Sequence, residues 1–126
     1  MSAKDINDAN LDTVFSDLRK LLAPYAKRLE LKKDTESQYY LDSKVLDPKG
    51  KPLFFGAAMV KTKFVSFHLM PVYVNPELLE DMSPELRKRM QGKSCFNFKT
   101  RDAALFRELK ALTKSCFDQW KKDKRV

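Results

Sequence analysis

The sequence has few of the residues that metal sites, disulfide frameworks and phosphate-binding loops require. Among its 126 residues are one histidine, two cysteines and three glycines. A single histidine excludes a multi-histidine metal site, and Cys95 and Cys116 do not form a C-x-x-C motif. The glycines are too far apart to form a glycine-rich phosphate loop. We therefore expect a protein that is not an enzyme and that holds no cofactor.

Long hydrophobic runs are also lacking. The most apolar stretch, PLFFGAAMV at 52–60, is much shorter than the roughly twenty residues that a membrane helix needs. The first ten residues are polar and acidic, which is unlike a signal or transit peptide. Without an export signal, both cysteines are expected to be reduced thiols. The sequence predicts a cytoplasmic protein with no membrane partner.

The composition that remains is that of one globular domain. Hydrophobic residues make up 43% of the chain and aromatic residues 11%, which is enough for a core in a domain of this size. We expect a single domain over residues 1–126. Residues 1–9 are expected to form either a disordered leader or an early start of the first helix.

Hydrophobic spacing predicts a helix at each end of the chain. The N-terminal stripe is Leu11, Val14, Phe15, Leu18 and Leu22. The C-terminal stripe is Leu105, Leu109, Leu112, Cys116 and Trp120, widened by Phe106, Thr113 and Phe117. Between them the sequence predicts two strands, at 53–60 and 63–74, joined as a hairpin, then short helices after Asn75 and Ser83, and a last strand at 94–99. The predicted fold class is α+β, with an antiparallel sheet of about five strands, terminal helices packed on it, and a short helical insertion before the last strand.

Four segments resemble the YdhG-like family of small bacterial domains. They are LLAPY, the hairpin PLFFGAAMVKTKFVSFHLMPVYV, the stretch PELLEDMSPELRKRMQGKSCFNFK, and the closing helix, so the resemblance runs from about residue 11 to residue 120. It implies terminal helices on an antiparallel sheet of about five strands. Members of this family share no known function, and some relatives have been likened to frataxin-like iron chaperones. The resemblance therefore implies weakly bound iron as an alternative cofactor.

One face of the predicted sheet is expected to remain open and to bind a ligand or partner. Strand alternation places Val65, Phe67 and Leu69 in the core and their neighbours on the other face. The residues predicted to line that open face are Phe64, His68 and Met70, joined by Tyr39 or Tyr40, whichever points that way. An open aromatic face can accept a small planar ligand, a protein partner or a second copy, so monomer and homodimer both stay open.

Two alternative sites involve charged residues. Asp5, Asp8 and Asp12 have the spacing of one helix face, and their carboxylates could hold a hard cation weakly at a hydrated site. The family resemblance implies that this cation is iron. The net charge of +8 also suggests nucleic acid. The predicted contacts are Arg87, Lys88, Arg89, Lys93, Lys99 and Arg101, with Phe96 and Phe98 beside them for stacking. No RNA-recognition or helix-turn-helix signature accompanies these residues.

The two cysteines are expected to be inert. Cys116 lies on the apolar stripe of the last helix, where burial raises the pKa of a thiol. Cys95 lies in the last predicted strand, where it would meet His68 only if the two strands happened to pair in that register. The sequence therefore predicts no catalytic residue.

Overall fold

A computed structural model describes the backbone of residues 3–126 and the side chains of residues 11–126. The helices are α1 (Ala3–Leu22), α2 (Met70–Val74), α3 (Pro84–Arg87) and α4 (Ala103–Lys122). The strands are β1 (Glu30–Asp34), β2 (Gln38–Leu46), β3 (Pro52–Val60), β4 (Val65–Leu69), β5 (Met90–Gln91) and β6 (Cys95–Phe98). Short 3-10 helices occupy Ala23–Arg28 and Pro76–Leu79.

The strands form one antiparallel sheet in the order β1-β2-β3-β4-β6-β5. This confirms the α+β class, with a helix at each end of the described chain and helical segments before the last strand. The sheet has six strands rather than about five. The additional edge strand, β5, has only two residues, which is too short for alternation to show in the sequence.

The core lies between one face of the sheet and helices α1 and α4. All eight residues of the predicted C-terminal stripe are buried in α4. Phe55 of β3 is fully buried and has its ring centroid 5.6 Å from that of Trp120 and 6.1 Å from that of Phe117. Val65, Phe67 and Leu69 are fully buried as well, as alternation predicted. This layer of aromatic and aliphatic side chains holds the sheet against the helices.

The second strand of the hairpin is shorter than predicted. The sequence predicted a strand over 63–74, but β4 ends at Leu69 and α2 begins at Met70. Pro71, in the first turn of α2, explains the change, because proline has no amide hydrogen for the ladder and its fixed φ suits a helix start. Within the described part of the chain, none of the helices has the length and apolar character needed to span a membrane.

Candidate functional site

The face of the sheet that points away from α1 and α4 is called here the open face. Alternation and register place on it the residues Tyr40, Asp42, Phe54, Ala57, Met59, Ser66, His68, Cys95 and Asn97. Most of its larger side chains are half-buried, whereas the aromatic residues of the opposite face are almost completely buried. The open face therefore offers ring surfaces and polar atoms to solvent.

Two aromatic rings form the centre of the open face. Tyr40 of β2 and Phe54 of β3 are stacked, with centroids 4.7 Å apart and planes 28° from parallel. The imidazole of His68 presents a tilted edge contact to Phe54 at 6.5 Å. Ala57 lies between Tyr40 and His68 in the register, and its small side chain leaves room for both rings. The result is a continuous aromatic surface across three strands.

A close approach of two strands fixes the position of His68. Gly56 of β3 is buried, and a Cβ atom there would lie 2.9 Å from the backbone oxygen of His68. Only glycine allows β3 and β4 to come this close without a shift of the backbone. The position of His68 in the sheet therefore depends on the absence of a side chain in the neighbouring strand.

His68 and Cys95 are in contact across β4 and β6. The register pairs them directly, and His68 Nε2 lies 3.5 Å from Cys95 Sγ. Cys95 Sγ also lies 3.5 Å from Asn97 Oδ1, to which the thiol can donate. The sequence allowed this contact only if the two strands paired in this register, and in the structure they do. These two residues and Asn97 make a polar cluster beside the aromatic surface.

Burial favours the neutral form of both titratable groups in this cluster. Burial lowers the pKa of His68, and the nearby Lys61 ammonium lowers it further. Burial raises the pKa of the Cys95 thiol, although Lys61 acts in the opposite direction. The pair is a thiol beside a neutral imidazole, whereas cysteine nucleophiles need a thiolate. This arrangement suits hydrogen bonding to a ligand better than covalent chemistry.

A carboxyl group lies on the other side of the aromatic pair. Asp42 is paired in register with Glu30 on one side and Phe54 on the other, and it is only 9% exposed. Burial raises its pKa, the Lys32 ammonium opposes that shift, and Glu30 adds to it. The pKa of the Tyr40 hydroxyl is raised by burial and by Asp42. The aromatic surface thus has polar groups of different chemistry on its two sides.

The structure brings together some of the residues predicted for the open face. Tyr40 and His68 lie on it, and Phe64 lies at the hairpin end, just before β4. Tyr39 does not lie on this face, because it points into the core and is only 3% exposed. The Cζ atom of Arg19 lies above its ring, 4.6 Å from the ring centroid. Met70 does not lie on this face either, because it has left the strand and packs against the core at the start of α2. The open face also includes Asp42, Phe54, Cys95 and Asn97, which the sequence did not predict to line it.

The predicted nucleic-acid contacts separate into two groups. Lys88, Arg89 and Lys99 line one concavity together with Phe64. The remaining three basic residues lie elsewhere. Arg101 pairs with Asp17 at 2.7 Å, Lys93 lies 5.9 Å from the ring centroid of Tyr73, and Arg87 ends α3.

The stacking part of the nucleic-acid prediction was wrong. Phe96 is fully buried and Phe98 is 1% exposed, because β6 turns both rings towards the helices. A base could reach neither of them. Any stacking near the basic residues would have to use Phe64, which is half-buried.

The predicted metal site falls largely on residues that the structure leaves undescribed. The side chains of Asp5 and Asp8 lie outside the described residues, and Asp12 is exposed on α1. Among the side chains of residues 11–126, no three histidine, cysteine or acidic residues are grouped so that they could hold a metal ion. The described residues add no support to iron binding.

Comparison of the chain with protein-family models, curated proteins and solved structures finds no match. The resemblance to YdhG-like domains therefore stays a prediction. The function has to be argued from the geometry of the open face and of the basic residues beside it.

Proposed function

We propose that this domain is a non-enzymatic binding module that holds a small planar ligand, or the surface of a partner, on its open face. The observation that carries the proposal is the stacked pair of Tyr40 and Phe54, which is only partly buried on the side of the sheet away from α1 and α4. Ring surfaces with a few fixed polar groups beside them are typical of ligand sites. Here those polar groups are Asp42 on one side and the cluster of His68 and Cys95 on the other.

The protonation states favour binding over catalysis. A neutral imidazole has one donor and one acceptor nitrogen, and a neutral thiol is a weak donor. A planar ligand stacked beside Phe54 could therefore exchange hydrogen bonds with His68 without any change of charge. The raised pKa of Cys95 argues against a role as nucleophile. We infer a site that recognises shape and hydrogen bonding.

Amide chemical-shift mapping with two neutral planar probes, indole and adenosine, tests the proposal. We expect saturable shifts confined to β2, β3, β4 and β6, with a dissociation constant below about 1 mM for at least one probe. The double variant Tyr40→Leu, Phe54→Leu should abolish these shifts because it removes both ring surfaces. Tyr73→Leu is the matched control, since Tyr73 is a 55% exposed aromatic residue on α2.

Two other outcomes are decisive. If neither probe gives saturable shifts, or if the double variant binds as the wild type does, the open face is not a site for planar ligands. Sedimentation equilibrium of the same proteins then tests the partner form of the proposal. A dimer that Tyr40→Leu, Phe54→Leu dissociates would identify a second copy as the occupant, and a monomer in every variant would exclude a second copy of this chain.

A further inference from the structure

A basic groove runs past the end of the β3–β4 hairpin. It consists of two concavities that share Phe64. The first is lined by the hairpin turn from Val60 to Phe64, including Lys61 and Lys63. The second has a volume of about 350 Å³ and is lined by Phe64, Lys88, Arg89, Met90, Gln91, Asn97 and Lys99. We call the two together the hairpin groove.

Local structure brings these segments together although they are far apart in sequence. The hairpin turn closes with a hydrogen bond from the Lys61 amide to the Phe64 carbonyl at 2.7 Å. Val65 pairs with Phe98, which places Phe64 beside the end of β6 that leads to Lys99. On the far side, the Asn97 amide donates to the Arg89 carbonyl at 2.8 Å, which places the Lys88–Arg89 segment at that strand. The groove is thus built from backbone that the sheet fixes.

The charge of the hairpin groove is of one sign. Its five basic side chains, Lys61, Lys63, Lys88, Arg89 and Lys99, are all exposed, and no carboxylate lines either concavity. Among the side chains that the structure describes, none of the five forms an ion pair, whereas Arg19, Arg101 and Lys114 do. Unpaired cations that flank a concave surface attract an anionic partner.

The aromatic residue between the two concavities narrows the chemistry of that partner. Phe64 is half-buried, so part of its ring faces the groove. A phenyl ring among cations suits a ligand that alternates planar rings with negative charges. The amide side chains of Gln91 and Asn97 add donors and acceptors that can meet the edge of such a ring. A nucleotide has this combination of a flat base and a phosphate.

Cations in both of the concavities that Phe64 lines favour a strand over a single nucleotide. Lys61 and Lys63 belong to the first concavity, and Lys88, Arg89 and Lys99 to the second. A mononucleotide would engage only one of these groups, whereas a backbone that passes Phe64 would place phosphates in both. Double-stranded nucleic acid would leave Phe64 unused, because its bases are already stacked on one another.

We propose that the hairpin groove binds single-stranded nucleic acid, with a base stacked on Phe64 and backbone phosphates at the five basic residues. This proposal goes beyond the proposed function, because its site is at the end of the hairpin. The groove and the open face share Asn97, and Lys61 of the groove is close enough to affect His68 and Cys95. Either proposal can fail while the other holds.

Fluorescence anisotropy with a labelled ten-nucleotide single strand, oligo(dT) or oligo(U), tests the groove over a range of salt concentrations. If all five basic residues contact phosphates, the slope of log affinity against log salt is about −3.5, at about −0.7 per contact. Lys88→Gln, Arg89→Gln should make that slope shallower by about 1.4. Phe64→Leu should weaken binding by about fivefold to a hundredfold and leave the slope unchanged, because it removes stacking and no charge.

A matched pair of substitutions separates the groove from general surface charge. Lys20→Gln, Lys110→Gln lowers the net charge of +8 by the same two units but alters exposed residues of α1 and α4 that do not line the groove. We expect this control to bind nearly as the wild type does. If it weakens binding as much as Lys88→Gln, Arg89→Gln, the groove is not the site.

Three competitor ligands complete the test. Adenosine monophosphate that displaces the labelled strand at an equal concentration would indicate a mononucleotide site and overturn the strand proposal. Duplex DNA and heparin test whether charge alone explains binding. If either binds as tightly as the single strand, and Phe64→Leu has no effect on strand binding, the attraction is by charge alone and the proposed stacking contact is wrong. Tyr40→Leu, Phe54→Leu should leave strand binding intact, so loss of adenosine binding in that variant concerns only the open face.

Discussion

The two faces of the sheet are made from the same strands but from different chemistry. On the covered face, Phe55, Phe67 and Phe96 are completely buried against the helices. One position away in each strand, Phe54, His68 and Cys95 are half-buried on the open face. Because side chains alternate along a strand, each strand contributes one row that stabilises the fold and one row that remains available to a ligand.

The open face also contains groups whose burial opposes their charged forms. Burial shifts the pKa values of Asp42, His68 and Cys95 towards the neutral state of each. On the helix side of the sheet, the buried thiol of Cys116 in α4, whose pKa burial raises to about 12, is surrounded by apolar side chains. Polar groups partly removed from water do not favour folding. Burial also raises the pKa of Tyr39 on the covered face, so the difference is that the open face combines a carboxyl, an imidazole and a thiol, and this combination supports a binding role there.

Substitution of two adjacent phenylalanines gives the largest contrast between the faces. Phe55→Ala should lower the free energy of unfolding by about 3–5 kcal/mol, because it leaves a cavity against Trp120 and Phe117. Phe54→Ala should lower it by less, roughly 1 kcal/mol for the lost ring contacts with Tyr40 and His68, because this ring is only partly buried. Urea unfolding monitored by circular dichroism measures both. Equal losses would mean that the open face is as much a part of the core as the covered face.

The stability of the open face should depend on the single histidine. The folded pKa of His68 lies below its ordinary value of 6.5, so the unfolded chain takes up the proton first as the pH falls. The contribution of His68 is therefore full above pH 6.5 and is lost as the pH falls through 6.5 towards the folded pKa. We expect the unfolding free energy of the wild type, relative to His68→Gln, to decrease over that window.

Urea midpoints of the two proteins between pH 5 and pH 8 check this dependence. Asp42 works in the opposite direction, because its raised pKa makes the folded state gain stability as the pH falls. Asp42 is present in both the wild type and His68→Gln, so its contribution cancels when their unfolding free energies are subtracted. A difference that does not change with pH would show that the pKa of His68 is the same in the folded and unfolded chains.

Alternation along the strands predicted which residues share a face, but it did not predict for every strand which face the helices cover. Val65, Phe67 and Leu69 were assigned correctly because three apolar residues in alternation leave little choice. The sequence did not show whether Tyr39 or Tyr40 points to the open face, because the answer depends on the register of β2 against β3. Phe96 and Phe98 share a face as predicted, but only the packing of α4 shows that this face is the core. The sequence pattern within one strand does not show which of its two faces a helix will cover.

Other features that the sequence did not predict depend on pairing between segments that are far apart in the chain. Cys95 meets His68 because β6 lies next to β4, and a connection of 25 residues that includes α2 and α3 separates these strands. Nothing near either residue indicates that neighbour. For Met70 the signal is local, because Pro71 directly after it favours the start of a helix over the continuation of a strand. The hairpin groove likewise depends on where the Lys88–Gln91 segment returns to the sheet.

The smallest effect that we predict concerns the charge next to the polar cluster. The Lys61 ammonium lowers the pKa of both His68 and Cys95, and burial is the larger cause at each. Lys61→Gln removes the charge and should raise both pKa values. A histidine ring-proton titration by NMR follows the first. The rate of Cys95 alkylation by iodoacetamide at pH 8, measured by peptide mass spectrometry, follows the second and should fall as less thiolate forms.

The direction of the two shifts distinguishes loss of charge from loosening of the structure. If Lys61→Gln merely let water into the site, the pKa of His68 would rise while that of Cys95 fell, because burial shifts them in opposite directions. Lys63→Gln is the control, since this exposed lysine of the same turn is not a cause of either shift. Parallel upward shifts with Lys61→Gln alone would establish that the positive charge of the hairpin turn extends over the open face. Opposite shifts would instead mean that the substitution loosens the hairpin turn and exposes the polar cluster to water.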